Sequence, residues 1–304
     1  VIPTPHRAGF VSIAGRPNAG KSTLLNALVG EKLAITAHQP QTTRTSIQGV
    51  LTTPESQIVL VDTPGIHASS TLFNQRMMNT VRGALKDRDL ILYVADASKS
   101  VGDEDQRAAG MLSHFGRALL VLNKIDRVED KRLLLPLIER YMQIFPFIEA
   151  LPVSARKGDG LDELKRVINQ NLLEAPAFFP NDYLTDQPMR FLAAEIVREK
   201  VLRATSEEVP HAVAILIESW EEKPRLTRIA AAIHVERPGQ KAILIGSQGQ
   251  MLKRIGSEAR LELERMLGHK VFLSLFVKVK PKWRDDPSFL NTMDWRSVLG
   301  SENT

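Results

Sequence analysis

Along roughly the first 175 residues, short apolar runs alternate with stretches whose apolar positions recur every three or four residues. The runs near 9–14, 46–52, 57–62, 90–96, 118–123 and 148–153 predict strands, and 21–30, 73–86, 103–115, 131–144 and 160–173 predict helices. Such alternation predicts an α/β domain over 1–173, a mostly parallel sheet covered on both faces, with active loops at the strand carboxyl ends. The pattern then breaks. Residues 174–189 carry Pro176, Pro180 and Pro188 among turn formers and predict a linker. Beyond it, 191–204 predicts an amphipathic helix with Glu195, Arg198, Glu199, Lys200 and Arg203 on its polar side. The alternating stretches 211–220 and 226–235, joined by the turn EEKPR, predict a hairpin. A helix, the turn Gly246-Ser247-Gln248-Gly249, a second helix and the strand 271–280 complete a smaller α+β domain over 190–284, with 285–304 as a tail.

Composition narrows the classes. The chain has 304 residues, 43% hydrophobic and 25% charged, enough for two domains with cores of their own. No apolar run approaches the roughly 18 residues of a membrane span, and the N-terminal VIPTPHRAG has no signal-peptide core. A first residue of Val leaves room for an upstream segment, so a bacterial cytoplasm is expected and a mitochondrial matrix is the alternative. Zero cysteines exclude disulfides, thiolate metal sites and cysteine nucleophiles, and fit a reducing compartment. The net charge of +5 says little by itself. Its distribution says more, because 237–284 holds eleven basic residues against three acidic ones, while 181–236 is net acidic.

The chemistry lies at the strand ends. The run Phe10–Ala14 leads into Gly15, Arg16, Pro17, Asn18, Ala19, Gly20, Lys21 and Ser22, followed by Thr23 and leucines at helical spacing. This is the G-x-x-x-x-G-K-S phosphate loop of a P-loop NTPase, in which backbone N–H groups cradle phosphates at a helix N-terminus. Lys21 is expected on the β- and γ-phosphates and the Ser22 hydroxyl on Mg²⁺. An apolar strand ends in Asp62, Thr63, Pro64 and Gly65, placing Asp62 at the Mg²⁺ shell and the Gly65 N–H at the γ-phosphate. A further strand ends in Asn123, Lys124 and Asp126, in an N-K-x-D pattern. A carboxylate there accepts from the guanine N1–H and exocyclic amine together, which adenine does not offer. The loop Ser154-Ala155-Arg156 supplies an N–H for the guanine O6. Between Lys21 and Asp62, the polar stretch AHQPQTTRTSI offers Thr42 and Thr43 as a γ-phosphate-responsive Mg²⁺ ligand, with Thr43 favoured. GTP and GDP, with Mg²⁺, are the expected ligands.

The motifs GRPNAGKS, PQTTR and DTPGI resemble the branch of translation-factor-class GTPases that includes Era, Der and the GTPase module of MnmE. Where Ras-like proteins place a water-orienting glutamine after D-x-x-G, this chain has Ile66, so that aid is missing. The resemblance implies that Asn18 helps hold K⁺ in place of an arginine finger; Arg16 and Arg44 are cis alternatives. The order of elements after 190 resembles a type II KH domain, whose G-x-x-G turn lets an RNA backbone approach closely. Expected RNA contacts are Ile245, Gly246, Ser247, Gln248, Gly249, Lys253, Arg254, Lys278 and Lys280. The family often carries a lysine in the turn where this chain has Ser247 and Gln248, which shifts phosphate grip toward Lys253 and Arg254. A GTPase followed by a KH domain resembles Era over nearly the whole chain, and FFPNDYLTDQPMRFLAAEIVREK and FVKVKPKWRDDPSFL support the match. Der is disfavoured by the single P-loop, and MnmE because it sets its GTPase inside a helical domain. The resemblance implies GTP hydrolysis, binding near the 3′ end of small-subunit ribosomal RNA, and assistance to assembly of a 30S-type subunit. The rivals are an RNA scaffold with a barely hydrolysing nucleotide site and a peripheral membrane GTPase using KVKPKWR at the inner membrane. No heptad pattern suggests a coiled-coil dimer, so a monomer is expected.

Overall fold

Alternation within single strands decides the architecture of the first unit. In β4 (Leu90–Asp96), Leu90, Leu92 and Val94 enter one core, while Ile91, Tyr93 and Ala95 enter another. Both faces are therefore covered, as the near-continuous apolar strands require. The computed structural model describes residues 6–37, 39, 42–66 and 71–295 and divides into two units. The first extends to Asp186; the second takes Gln187 onward, with short segments drawn from Ile35–Gln39 and Ser70–Asn74.

The first unit contains β1 (Arg7–Ala14), α1 (Lys21–Val29), β2 (Ile47–Thr52), β3 (Ser56–Asp62), α2 (Leu72–Leu85), β4, α3 (Asp103–Gly110), β5 (Ala118–Asn123), α4 (Leu134–Ile144), β6 (Ala150–Pro152) and α5 (Leu161–Asn171). Sheet order is β2-β3-β1-β4-β5-β6, parallel except for β2 against β3. One core packs leucines of α1 with Leu164, Val167 and Ile168 of α5; the other packs Val81, Leu112, Leu137 and Tyr141. The predicted helix over 103–115 breaks at Gly110 into a 3₁₀ turn, and that over 131–144 opens with one. The predicted linker is docked through Asp186. Val50 N–H donates to Leu184 O (2.8 Å), Thr185 Oγ1 to Gln48 O (2.6 Å), and the buried Gln57 carboxamide bonds the backbone of Phe178 and Phe179.

The second unit contains α6 (Met189–Ala204), α7 (Val209–Ala212), β7 (Ala214–Lys223), β8 (Leu226–Val235), α8 (Pro238–Ile245), α9 (Gln250–Leu267), β9 (Lys270–Val279) and α10 (Pro287–Met293). The sheet is β7-β8-β9, with β7 antiparallel and β9 parallel to β8. Inward residues Ile229, Ala231, Ile233, Val271 and Val277 meet Val197 and Val201 of α6 and Ile255, Ala259 and Leu263 of α9. Three boundaries differ from expectation. The strand expected from His211 begins at Ala214, because Pro210 sits in the first turn of α7. The hairpin turn is tighter than EEKPR, since β7 runs to Lys223. The expected tail contains α10, capped by the Asp286 side chain, which accepts from Ser288 N and Phe289 N. Trp283 just before it is fully buried and donates through Nε1 to Ala212 O (2.8 Å). Residues 296–304 lie outside the described residues.

Candidate functional site

The phosphate loop spans the carboxyl end of β1 and the first turn of α1, where free backbone N–H groups and the positive end of the helix dipole converge. Lys21 is buried in the loop, its Nζ donating to Gly15 O (3.1 Å) and Arg16 O (3.0 Å). Burial pushes its pKa down to about 8, against the pull of Asp62. At the top of α1, three hard oxygen donors meet. Ser22 Oγ lies 2.6 Å from Thr43 Oγ1 and donates to Asp62 Oδ2 at 2.7 Å, and Thr43 Oγ1 donates to the same oxygen at 3.0 Å. Asp62 is fully buried, and burial raises its pKa against Lys21, Ser22 and Thr43. Among the described residues its Oδ1 is buried with no hydrogen-bond partner. A buried orphan carboxylate oxygen beside two hydroxyls fits a small hard cation such as Mg²⁺.

Asp62 continues into Thr63, whose hydroxyl donates to Ile13 O (2.8 Å), then Pro64 and Gly65. Gly65 lies against the phosphate loop: a Cβ there would fall 2.7 Å from Pro17. Ile66 N–H donates to Gly15 O (3.1 Å), while its side chain packs on the second core, so the position directly after Gly65 offers no water-orienting side chain. Residues 67–70 lie outside the described residues, as do His38, Pro40 and Gln41 of the expected first switch. Of the predicted threonine pair, Thr43 is the one brought to Asp62.

The residues expected at the base are joined to one another and to the phosphate loop. Buried Asn123 donates through Nδ2 to Ala19 O (2.9 Å), and its Oδ1 accepts from Ala155 N (3.0 Å), tying the phosphate loop to the Ser154–Arg156 loop. Lys124, in the left-handed region at φ +68°, donates to Asn18 O (2.5 Å) and pairs with Asp96 Oδ2 (2.6 Å). Asp126 Oδ1 accepts from Ser154 Oγ (2.7 Å), and that bond holds the Asp126 carboxyl below its ordinary pKa. Arg156 is exposed, and Thr23 is half-buried in the first turn of α1. Asn18 is exposed with φ +62°, a conformation asparagine tolerates, so the loop supplies a structural reason for this residue beside the chemical one. Arg16 is turned away from a finger role, pairing with Glu104 and Asp105 (2.7 Å). Arg44 is buried. Asp96 escaped prediction, although an acid ending an apolar strand beside the motif strand was its signal.

In the second unit, α8 ends at Ile245 and the G-x-x-G turn follows. Ser247 and Gln248 are exposed, and Gly246, Gln248 and Gly249 all have positive φ. A Cβ on Gly246 would meet Met251 Cβ at 2.7 Å, whereas the position above Gly249 is open. Lys253 and Arg254 stand exposed near the start of α9, with Arg254 paired to Glu258 (3.7 Å). The basic bias is smaller than the 237–284 window suggested, because acids outside it fold back. Lys278 pairs with Glu218, Lys280 with Asp286 (2.8 Å) and Arg284 with Glu236 (2.5 Å).

A family model described as 50S ribosome-binding GTPase matches residues 10–124, and a KH domain model matches 208–284. GTPase Era of Geobacter metallireducens is 46% identical over 294 residues, covering 96% of this chain and 98% of that protein. The chain belongs to the GTPase Era family. GTPase Era of Lactobacillus delbrueckii subsp. bulgaricus is 44% identical over 95% of this chain and 96% of its own length. Two solved Era structures, each 39% identical and covering 95% of this chain and 99% of their own, superpose with TM-scores of 0.90 and 0.91. The first is an Aquifex aeolicus Era variant bound to GDP·AlF₄⁻, the second an Era in complex with MgGDPNP and nucleotides 1506–1542 of 16S ribosomal RNA. Membership of the Era family makes this chain a guanine nucleotide-binding GTPase. Among the described residues, no helix is long and apolar enough to cross a membrane.

Proposed function

We propose that this chain is a nucleotide-gated RNA-binding GTPase of small-subunit assembly, acting in the bacterial cytoplasm on the 3′ region of 16S ribosomal RNA. The observation that carries it is one chain joining the Ser22, Thr43 and Asp62 cluster and the Asn123–Ala155 loop contact to a KH unit with an open G-x-x-G turn. In this reading Ser22, Thr43 and Asp62 hold Mg²⁺, which when bound neutralises charge developing on the phosphates. Lys21 and the loop N–H groups Asn18–Thr23 position the triphosphate, while Gly65 reports its terminal phosphate. Asp126, Asn123, Lys124 and Ala155 select and brace guanine. Asn18 supplies an exposed carboxamide for K⁺, and hydrolysis faster in K⁺ than in Na⁺, with the difference lost in Asn18→Asp, is the expected signature.

Support for gating comes from inside the second unit. Ile35 shares the core of Ala193 and Ile196, Thr36 N–H donates to Glu199 Oε1 (3.0 Å), and Gln39 Nε2 donates to Leu202 O (2.7 Å). These residues lead directly to Thr43, so ordering of Thr43 by Mg²⁺ and nucleotide acts on a segment already fastened to α6. A ligand shifts such an equilibrium only through differential affinity for its two states. The buried Trp283 and the pairing of Lys280 and Arg284 in KVKPKWR favour this reading over the membrane rival. Crosslinking and sequencing of RNA bound to the chain, loaded with GDPNP or GDP, tests the reading. A sharp 16S 3′ footprint stronger with GDPNP is expected; a diffuse or nucleotide-blind one refutes it.

A further inference from the structure

The sequence GDEDQ at the start of α3 places three acids in its first turn, and one of them leaves solvent. Asp105 is buried, and its carboxylate accepts from three donors: Arg16 Nη1 (2.7 Å), Gly102 N (3.1 Å) and Tyr141 Oη (3.0 Å). Tyr93 Oη donates to the Asp105 carbonyl (3.5 Å). Burial, the larger cause in each case, pushes both phenol pKa values up, so both remain donors. Arg16 also pairs with Glu104. A buried carboxylate held by Tyr141, on a backbone whose carbonyl accepts from Tyr93, is thus aimed at one residue of the phosphate loop. Its position 89 residues downstream gives no sequence motif for the link.

What Arg16 touches gives the link a consequence. Its carbonyl is one of the two acceptors of Lys21 Nζ, and its neighbour Pro17 is the surface on which Gly65 rests. In the proposed nucleotide site Lys21 and Gly65 are the residues expected at the terminal phosphate. We propose that Asp105, with Tyr141 behind it, is a positioning residue that fixes Arg16 and so sets how far this GTPase prefers the triphosphate over the diphosphate. A small cavity of about 20 Å³ lies beside the pair, lined by Arg16, Pro17, Ala95, Asp96, Asp105 and Tyr141 among others. Once the anchor is lost, Arg16 retains Glu104, an exposed and weaker partner. The adenine-versus-guanine choice, made by Asp126, is untouched.

The test uses the full chain carrying Asp105→Asn, Arg16→Ala, Tyr141→Phe and the double Asp105→Asn/Arg16→Ala, with affinities for GDP and Mg·GDPNP measured by titration against a fluorescent nucleotide. Asn keeps the volume and the Tyr141 contact but loses the charge-assisted bond, so GDPNP affinity is expected to fall about tenfold or more while GDP affinity stays within about threefold. Because Asp105 acts through Arg16, the double variant should be no weaker than Arg16→Ala alone. Equal losses for both nucleotides, no loss, or losses that multiply in the double variant would each overturn the proposal. If Asp105→Asn shows no cooperative thermal transition, Arg16→Ala and Tyr141→Phe carry the same comparison, and a nucleotide-blind result in both rejects it.

Discussion

Asn123→Ala is the substitution whose cost the geometry specifies most closely. The side chain is 2% exposed and makes two hydrogen bonds, to Ala19 O at 2.9 Å and from Ala155 N at 3.0 Å. Its removal strands one buried acceptor and one buried donor, each costing about 1–3 kcal/mol. Water entering the space recovers part of this. A net loss of about 2–4 kcal/mol is therefore expected, and because both partners belong to the loops proposed to hold the nucleotide it should appear mainly in nucleotide affinity, as a roughly 30- to 700-fold rise in the Kd for GDP. Stopped-flow dissociation of a fluorescent GDP together with equilibrium titration reads it, and most of the change should lie in the off-rate. Thermal unfolding separates the alternative, because a core defect would lower the Tm while leaving affinity near its original value. An affinity within about threefold of the parent would refute the idea that Asn123 couples the two loops.

Further outcomes follow from the second unit. Gly249→Asp, where space is open and asparagine-like residues tolerate positive φ, should abolish RNA binding in a filter or gel-shift assay while leaving GTP affinity intact; loss of both would indicate unfolding instead. Trp283→Ala removes a fully buried indole and its bond to Ala212 O, and should destabilise the second unit by about 3–5 kcal/mol in a urea titration, with little change in nucleotide affinity. Burial first, then Lys278, lowers the pKa of half-buried His234, which stacks edge-on against Phe289. A depressed folded-state pKa means the unfolded chain binds the proton more readily, so stability is full above about pH 6.5 and falls below it, by at most about 1.4 kcal/mol per pH unit. Urea midpoints of the parent and His234→Phe between pH 7.5 and 5 should diverge; parallel curves would contradict this.

How much was legible depended on the span over which each signal acts. The phosphate loop is read within eight residues, and Asn123, Asp126 and Ala155 end apolar strands, so the parallel sheet gathers them once its order is known. Thr43 was separable from Thr42 only by preference until Asp62 was seen to take its hydroxyl. The Arg16–Asp105 pair was not legible, because nothing near either residue announces a partner in another element. Charge misled for the same reason: Glu218, Glu236 and Asp286 lie outside the basic window and neutralise residues inside it. The helix α10 did carry a local signal, Asp286 followed by Pro287, an N-cap and first-turn proline outweighed by the polar residues around it. Linker docking rests on Gln57, buried in a strand where its type suggested exposure.

The measurement that bears most directly on gating is the equilibrium affinity of the full chain for a 16S 3′ RNA segment, at constant salt, with Mg·GDPNP, with Mg·GDP and without nucleotide. Gating by Thr43 and the segment fastened to α6 predicts tightest binding with Mg·GDPNP. Identical affinities in all three conditions would contradict it and leave two independent binding units on one chain.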